Sequence, residues 1–299
     1  MTWTAYRVVF RLKSPMHIGC GKVGNVQRTR PYVTGRMFWG ALTMRLTRDQ
    51  HQPATRSELY QKIGGEVHQY LKFTYFYPAI KKTESNQSEE NQDNQPNYEI
   101  IFPWGNESLF RRRFLSSYAS TALVYPRQAA DEGLLHEVEF LSPRTLDTGK
   151  QVYLVGYVFA KDNCQLNWKE ACCKLQMGGE RGYGWGDVAP EFPEKQKGFE
   201  PVQTNELFCG KATFEATEDG PIIKPTEQLL AHTVTANVVA QGEIEPMVGR
   251  EWRSHNNATN SYAGQHVEQF GDACWVPGST VAQSLNFVIG NFGIWHLST

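Results

Sequence analysis

The first apolar pattern in the chain is an alternation of period two. In AYRVVFRLK (residues 5–13), the two faces carry Tyr6, Val8, Phe10 and Leu12 on one side and Arg7, Val9, Arg11 and Lys13 on the other. This spacing is typical of a half-buried strand, and Ser14-Pro15 ends it. We therefore predict an opening strand whose basic face is exposed and available to phosphate.

Apolar residues at helical spacing come next. Residues 35–48 hold two apolar stripes, which are Met37, Ala41 and Met44, and Phe38, Leu42 and Leu46. Thr34 is a suitable N-cap for this helix, which we expect to begin at Gly35. Shorter helices are predicted over 57–63, ended by Gly64-Gly65, and over 165–177, ended by Gly178-Gly179. Residues 109–125 are predicted to be helical in part.

Strand-like runs complete the pattern at YLKFTYFYPAI (70–80), YEIIF (98–102), LLHEVEFLSP (134–143) and QVYLVGYVFA (151–160). The order of elements over 1–195 predicts an α+β chain with a ferredoxin-like (RRM-like) domain, interrupted by a polar insertion at 81–97. Residues 196–299 show short strands and turns. We predict a mostly β or irregular extension there, either a degenerate second module or a segment that docks a neighbouring subunit.

Composition narrows the class of protein. Of the 299 residues, 40% are hydrophobic, which is enough for a folded core. The apolar runs are shorter than the ~20 residues of a membrane-spanning helix, and the N-terminus lacks the pattern of a signal peptide. The six cysteines form no C-x-x-C pair, which favours reduced thiols. We expect a cytoplasmic protein with no membrane partner.

Charge is strongly segregated although the net charge is only −1. Residues 1–50 hold nine Lys and Arg against one acid, Asp49, and residues 200–299 hold four against eleven Asp and Glu. A basic block of this kind is typical of a protein that binds a polyanion. The acidic segment is unlike a nucleic-acid-binding surface, and we expect it to contact protein.

Two glycine clusters could bind phosphate. Gly19, Gly21 and Gly24 match G-x-G-x-x-G, but a dinucleotide loop must open a helix, and the following Val26, Thr29 and Pro31 do not favour one. The second cluster is GGERGYGWGDV (178–188). Its glycines allow close approach of a ligand to the backbone, and its arginine and aromatic side chains suit a sugar-phosphate chain with unstacked bases.

Three motifs together resemble the RAMP superfamily of CRISPR-associated proteins. They are LKSPMHIGCG after the first strand, YVTGRMFWGALTMRL at the first helix, which is similar to the family's PGS-x-x-x-GAL-R, and the loop GGERGYGWGDV. The tail segments GEIEPMVGREW and CWVPGSTVAQSL are similar to the single-copy subunit of type III effector complexes. That subunit holds the 5′ handle of the CRISPR RNA and touches the large polymerase-like subunit.

The resemblance implies an RNA-binding scaffold subunit whose partners are CRISPR RNA, other RAMP subunits, the large polymerase-like subunit and, indirectly, target RNA. The residues expected to contact RNA are Lys22, Arg28, Arg30, Tyr32, Arg36, Gly178, Gly179, Arg181, Gly182, Tyr183, Gly184 and Trp185. Among these, Tyr32, Tyr183 and Trp185 are expected to stack on bases. The amides at the start of the helix near Gly35 are expected to face phosphate.

Catalysis is not expected. Backbone subunits of this family that cut target RNA use an aspartate between the first strand and the first helix, and no aspartate lies between Ser14 and Arg48. A backbone subunit that binds guide and target RNA nevertheless stays an alternative. A second alternative is a metal-independent ribonuclease that processes CRISPR precursor RNA, for which His17 is the one histidine close to the basic segment. We predict no metal and no cofactor.

Overall fold

The computed structural model describes residues 2–82, 98–125, 127, 129–192, 198–218, 220–250, 267–282 and 284–298. The predicted polar insertion therefore lies outside the described residues from position 83 onward. The helices of the described part are α1 (Gly35–Gln50), α2 (Ser57–Tyr70), α3 (Glu107–Phe114) and α4 (Trp168–Cys172). None of the helices in these ranges is both long and apolar enough to cross a membrane.

A first sheet organises the N-terminal half. Its strand order is β12 (Val188–Pro190), β1 (Trp3–Leu12), β11 (Tyr153–Lys161), β5 (Tyr77–Lys81) and β6 (Tyr98–Ile100), and β4 (Leu71–Phe73) also pairs with β11. The pairs are antiparallel. Side chains from all four helices pack with Val8, Phe10 and Leu12 in one apolar core, as the alternation in the sequence predicted.

The opposite face of β1 differs from the prediction of an exposed basic face. Trp3 and Ala5 are buried in a second core, and the guanidinium of Arg7 lies 5.5 Å from the ring centroid of Tyr98. Of the predicted basic row, Arg11 and Lys13 are exposed, and Lys13 Nζ lies 2.6 Å from Asp187 Oδ2. Because the C-terminal half of the chain covers this face, most of it is closed to phosphate.

An eight-stranded C-terminal sheet supplies the other side of the second core. Its order is β13 (Glu206–Leu207), β14 (Ala212–Ala216), β15 (Pro221–Pro225), β21 (Phe287–Ile289), β22 (Trp295–Leu297), β16 (Thr233–Val234), β19 (Val267–Trp275) and β18 (Ile244–Arg250). Tyr75 and Tyr77 are fully buried among Phe208, Phe287 and Trp295. The described residues before 192 and after 198 therefore share one apolar core.

A smaller sheet carries the N-terminal glycines. Its order is β2 (Gly19–Val23), β3 (Val26–Thr29), β10 (His136–Leu141) and β7 (Leu115–Ser120), and β2 and β3 form a hairpin. Gly24, at φ +57°, occupies the turn of this hairpin. The G-x-G-x-x-G match is thus a β-hairpin and not the start of a helix. The remaining strands form two short ladders, β8 (Leu123–Val124) with β9 (Ala129–Ala130) and β17 (Ala240–Gln241) with β20 (Thr280–Val281).

Two helix predictions were wrong at their ends. α2 continues through Gly64-Gly65 to Tyr70 because Gly64 lies against α1, where a Cβ would come 2.7 Å from the Trp39 ring. The predicted helix over 165–177 is helical only in α4, and Leu166, Leu175 and Met177 are buried outside it. In both places tertiary packing outweighs local propensity.

Candidate nucleic-acid interface

The glycine-rich loop lies directly against the segment that precedes the β2–β3 hairpin. Gly179 N donates to His17 O at 2.8 Å, Gly186 N donates to Pro15 O at 2.7 Å, and Asp187 N donates to Ser14 Oγ at 2.9 Å. The two stretches that the sequence pointed to as RNA-binding are therefore neighbours on one side of the molecule.

Two of the loop glycines are required by geometry. Gly178 and Gly186 have φ of +94° and +80°, in a region of backbone conformation that residues other than glycine rarely adopt. A Cβ on Gly178 would collide with the carbonyl oxygen of His17, and one on Gly186 would collide with that of Met177. Glycine at 178 therefore allows the loop to pack against His17, and glycine at 186 allows the loop to close on Met177.

Gly186→Ala is expected to destabilise the protein by about 2 kcal/mol or more, since left-handed backbone costs a side chain about 1–2 kcal/mol before the collision is counted. Urea unfolding measures this loss. Gly182→Ala is the matched control, because a Cβ there meets no atom within 4 Å. Equal stability of the two variants would contradict the assigned loop geometry.

Aromatic side chains of the loop lie beside the small sheet. Tyr183 is 83% exposed. Trp185 packs its ring edge-on against Phe140 of β10, at 5.0 Å between centroids, and against Tyr118 of β7, at 6.4 Å. Tyr118 is itself 60% exposed. Trp185 and Tyr118 thus share one area, and Tyr183, two positions before Trp185 in the loop, exposes a further ring on which an unstacked base could pack.

A row of partnered residues crosses the small sheet toward these rings. Lys22 is opposite Gln27, Gln27 is opposite Val138, and Val138 is opposite Tyr118. Residues opposite each other on paired strands lie on the same face of a sheet, so Lys22 shares a face with Tyr118. We call Lys22, Tyr118, Arg181, Tyr183 and Trp185 the loop surface.

The loop surface has two cations that are open to a ligand. Lys22 and Arg181 are both exposed, and neither forms an ion pair within the described part of the chain. Arg181 Nη1 lies 3.2 Å from Met44 Sδ, a weak acceptor that leaves the charge of the guanidinium unneutralised. Gln176 Nε2 donates to Arg181 O and Trp185 O, at 3.1 and 2.9 Å, and so fixes the backbone that carries this arginine.

Arg28 is largely committed to a structural ion pair. Its Nε is 3.1 Å from Glu139 Oε2, an acid that is 8% exposed and also accepts from Arg111 and from Thr29 N. The Arg28 side chain keeps 38% of its surface exposed. Its first role is to neutralise a buried carboxylate together with Arg111, which the sequence did not suggest.

Arg30 and Tyr32 are not placed to contact RNA as predicted. The Arg30 side chain is 17% exposed, and its Nη1 is 2.7 Å from Glu245 Oε1. Tyr32 is 4% exposed and packs against Tyr75 and Tyr77, at 5.8 and 5.6 Å between centroids. The prediction that Tyr32 stacks on a base is wrong because its ring is in the second core.

The start of α1 is also unavailable to phosphate. Thr34 accepts a hydrogen bond from Met37 N as the predicted N-cap. The backbone of Phe292 lies so close to Gly35 that a Cβ on Gly35 would collide with the Phe292 carbonyl oxygen. Arg36, predicted to bind RNA, has its guanidinium 4.7 Å from the centroid of the Phe292 ring. The first turn of the helix therefore contacts the chain's own C-terminal segment.

His17 supports the loop and is not placed for catalysis. Its ring is 6% exposed, and Nδ1 donates to Glu139 O at 2.7 Å. The ring packs on the backbone of Gly19 and Gly179, where added Cβ atoms would come within 3.2 and 3.1 Å of it. A buried histidine held between two backbone segments cannot approach a 2′-hydroxyl, so the ribonuclease alternative loses its candidate residue.

Sequence reasoning missed Tyr118 and the acids Glu139 and Glu245. Tyr118 lies in a stretch, Leu115–Ser120, that the sequence predicted to be helical in part, and it is a strand. The two acids are isolated in the sequence, and nothing local shows that each meets an arginine more than 100 positions away. Among the described residues, no group of three or more His, Cys, Asp or Glu could hold a metal ion.

No model of a known protein family matches the chain, and no curated protein does. Several solved structures are distantly similar. A chain of the type III-B Cmr-beta complex, solved by cryo-EM with cognate target RNA and AMPPnP, is 11% identical with a TM-score of 0.48, over 92% of this chain and 85% of that one. Cmr6 from Pyrococcus furiosus is 13% identical with a TM-score of 0.31, over 64% of this chain and 98% of that one. Similarity at this level does not assign the chain to a family.

Proposed function

We propose that this protein is a non-catalytic RNA-binding scaffold subunit of a type III CRISPR effector complex, in which the loop surface holds the 5′ handle of the CRISPR RNA. One observation carries the proposal: the glycine-rich loop, recognised separately in the sequence, is hydrogen-bonded to residues 14–17, directly before the hairpin that carries Lys22. Two of the three motifs that resemble the RAMP superfamily, LKSPMHIGCG and GGERGYGWGDV, lie on these two stretches. A cytoplasmic location and neighbouring RAMP and polymerase-like subunits as partners belong to the same proposal.

The chemistry of the loop surface suits a single strand of RNA. Lys22 and Arg181 supply positive charge for phosphates. Tyr183, Trp185 and Tyr118 supply aromatic faces, and stacking of a base on such a face contributes about 1–3 kcal/mol. A double helix would not bind to these exposed rings in this way, because its bases are already stacked on one another.

The architecture agrees with the proposal in outline. The first sheet is antiparallel, and the four helices contribute to the core on one of its faces, which we interpret as a ferredoxin-like domain. We infer that residues 1–195 carry the RNA-binding function and that the exposed side of the C-terminal segment, 196–299, docks a neighbouring subunit. A backbone subunit that binds guide and target RNA is the second candidate, since the same surface would serve it.

The double variant Lys22→Ala/Arg181→Ala is expected to bind handle RNA about tenfold or more weakly. Because each phosphate contact to a single strand contributes about 0.7 to the slope of log K against log salt, the slope is expected to fall by about 1.4. Fluorescence anisotropy at several salt concentrations measures both quantities. Lys211→Ala/Lys224→Ala removes the same charge from two exposed positions, one in the turn before β14 and one on β15, and serves as the control.

An unchanged salt slope in the first double variant would count against phosphate binding at the loop surface. The role within the complex needs a second comparison. If the handle is the ligand, an RNA with a scrambled handle binds more weakly than one with a scrambled guide. Equal binding of the two RNAs would favour the backbone subunit.

A further inference from the structure

A network of four polar side chains joins the β2–β3 hairpin to the C-terminal segment. Tyr75 Oη lies 2.7 Å from His232 Nδ1, His232 Nε2 lies 2.5 Å from Glu245 Oε1, and Glu245 Oε1 lies 2.7 Å from Arg30 Nη1. Tyr75 and His232 are completely buried, and Arg30 follows the last residue of β3 directly. This network shares no residue with the loop surface and contributes none of its charged groups.

The protonation states of His232 and Glu245 determine which groups of this network donate hydrogen bonds and which accept them. Burial lowers the pKa of His232, against the opposing effect of Glu245, so the imidazole is neutral at pH 7. A carboxylate accepts only, so Nε2–H donates to Glu245, and Nδ1 accepts from the Tyr75 hydroxyl. Burial raises the pKa of Glu245, but hydrogen bonds from His232 and Arg30 outweigh it, and the pKa is about 2. Every group has a partner of the right kind.

The contacts of Arg30 hold it more firmly than is usual for an arginine that binds phosphate. It is mostly buried, its backbone N donates to Ile18 O at 2.7 Å, and its fork meets an ionised carboxylate. Together with Arg28, two positions earlier, it ties the strand to carboxylates on two different segments, Glu139 on β10 and Glu245 on β18. The hairpin that carries Lys22 is thus anchored from both sides.

We propose that Glu245 is a positioning residue for RNA binding, which rests on the proposed function above: by holding Arg30, it fixes the hairpin and so sets the position of Lys22 on the loop surface. The C-terminal sheet, although acidic, is then part of the RNA-binding unit. Glu245 touches no RNA in this arrangement and acts through Arg30.

The sign of the effect separates this role from simple electrostatics. Removing an acid from a protein that binds a polyanion makes the protein more positive, and this alone strengthens binding. Positioning predicts the opposite, because a loosened hairpin no longer presents Lys22. Glu245→Gln is therefore expected to weaken binding of handle RNA about fivefold or more, within the usual range for coupling between sites.

Glu243→Gln is the matched control. It removes the same charge two positions away, from an exposed side chain just before β18, and its RNA affinity is expected to equal or slightly exceed that of the unaltered protein. The salt slope gives a second readout. Because a displaced Lys22 no longer contacts phosphate, Glu245→Gln and Arg30→Ala are both expected to lower the slope by about 0.7, whereas a direct Arg30 contact would lower it in Arg30→Ala alone.

Hydrogen exchange of the free protein tests the anchor without RNA. Amides of β2 and β3 are expected to exchange faster in Glu245→Gln than in Glu243→Gln, while amides of β1 and β11 exchange at the same rate, which shows that the variant is folded. The double variant Arg30→Ala/Glu245→Gln is expected to bind RNA no more weakly than either single variant, because both substitutions remove the same Arg30–Glu245 contact.

Three results would overturn the inference: tighter RNA binding in Glu245→Gln, unchanged exchange in β2 and β3, or a salt slope that falls in Arg30→Ala but not in Glu245→Gln. Failure of the proposed function is distinguishable from these. If the unaltered protein does not bind handle RNA while exchange in the hairpin still depends on Glu245, the anchor exists but the ligand was assigned wrongly.

Discussion

Deletion of residues 200–299 is expected to leave a chain that does not fold. The deletion uncovers Tyr75, Tyr77, Tyr157 and Phe159, all buried in the core shared with the C-terminal sheet. Exposing a large apolar side chain costs about 1.5–3 kcal/mol, so the loss is about as large as the whole stability of a protein, about 5–15 kcal/mol. Near-UV circular dichroism of the purified fragment measures the outcome.

The full-length protein with Tyr77→Phe is the control for this deletion. It removes only the hydrogen bond from Tyr77 Oη to Leu230 O, 2.7 Å long, and a native near-UV spectrum is expected. A fragment that keeps native near-UV signals and unfolds cooperatively in urea would show that residues 1–199 fold independently and that the shared core adds little.

Glu139→Gln is expected to lower the free energy of unfolding by about 3 kcal/mol. Loss of one partner from a buried ion pair leaves uncompensated charge and costs about 3–5 kcal/mol. Here Arg28 and Arg111 both lose their carboxylate, but each keeps about a third of its side chain in water, which places the expected loss at the lower end. Urea unfolding at low salt measures it.

Glu137→Gln, on the same strand, is the matched control. Glu137 is only half-buried, and no ion pair of its side chain is found in the described ranges. A change within about 0.5 kcal/mol is expected, as for most surface substitutions. If both variants lost stability equally, the two arginines would not depend on Glu139.

Local sequence patterns correctly predicted those elements whose packing is determined mainly by their own residues. β1 and α1 show this best, because the apolar faces of both lie in the first core and Thr34 caps the helix as expected. α2 was ended too early because two glycines normally stop a helix, whereas here Gly64 permits close approach of Trp39, whose Nε1 donates to Gly64 O at 3.2 Å. Such a reason exists only in the folded chain.

The candidate site was predicted in part for the same reason. The glycine loop and the hairpin segment are neighbours, as their shared chemistry suggested. The distribution of charge did not show which arginines are free, because Arg28 and Arg30 meet acids that lie 111 and 215 positions along the chain. Of the cations predicted to bind RNA, Lys22 and Arg181 are the exposed ones without such a partner in the described residues.

The core shared by the two halves also bears on how the protein is made. During synthesis, the strand pair β1 and β11 is complete well before Phe287 and Trp295 leave the ribosome. Until then the core around Tyr75 and Tyr77 is incomplete, and contacts this distant in sequence form slowly. The nascent chain therefore keeps an open aromatic face from the completion of β11 until Phe287 and Trp295 have been made, a stage at which chaperones would protect it from aggregation.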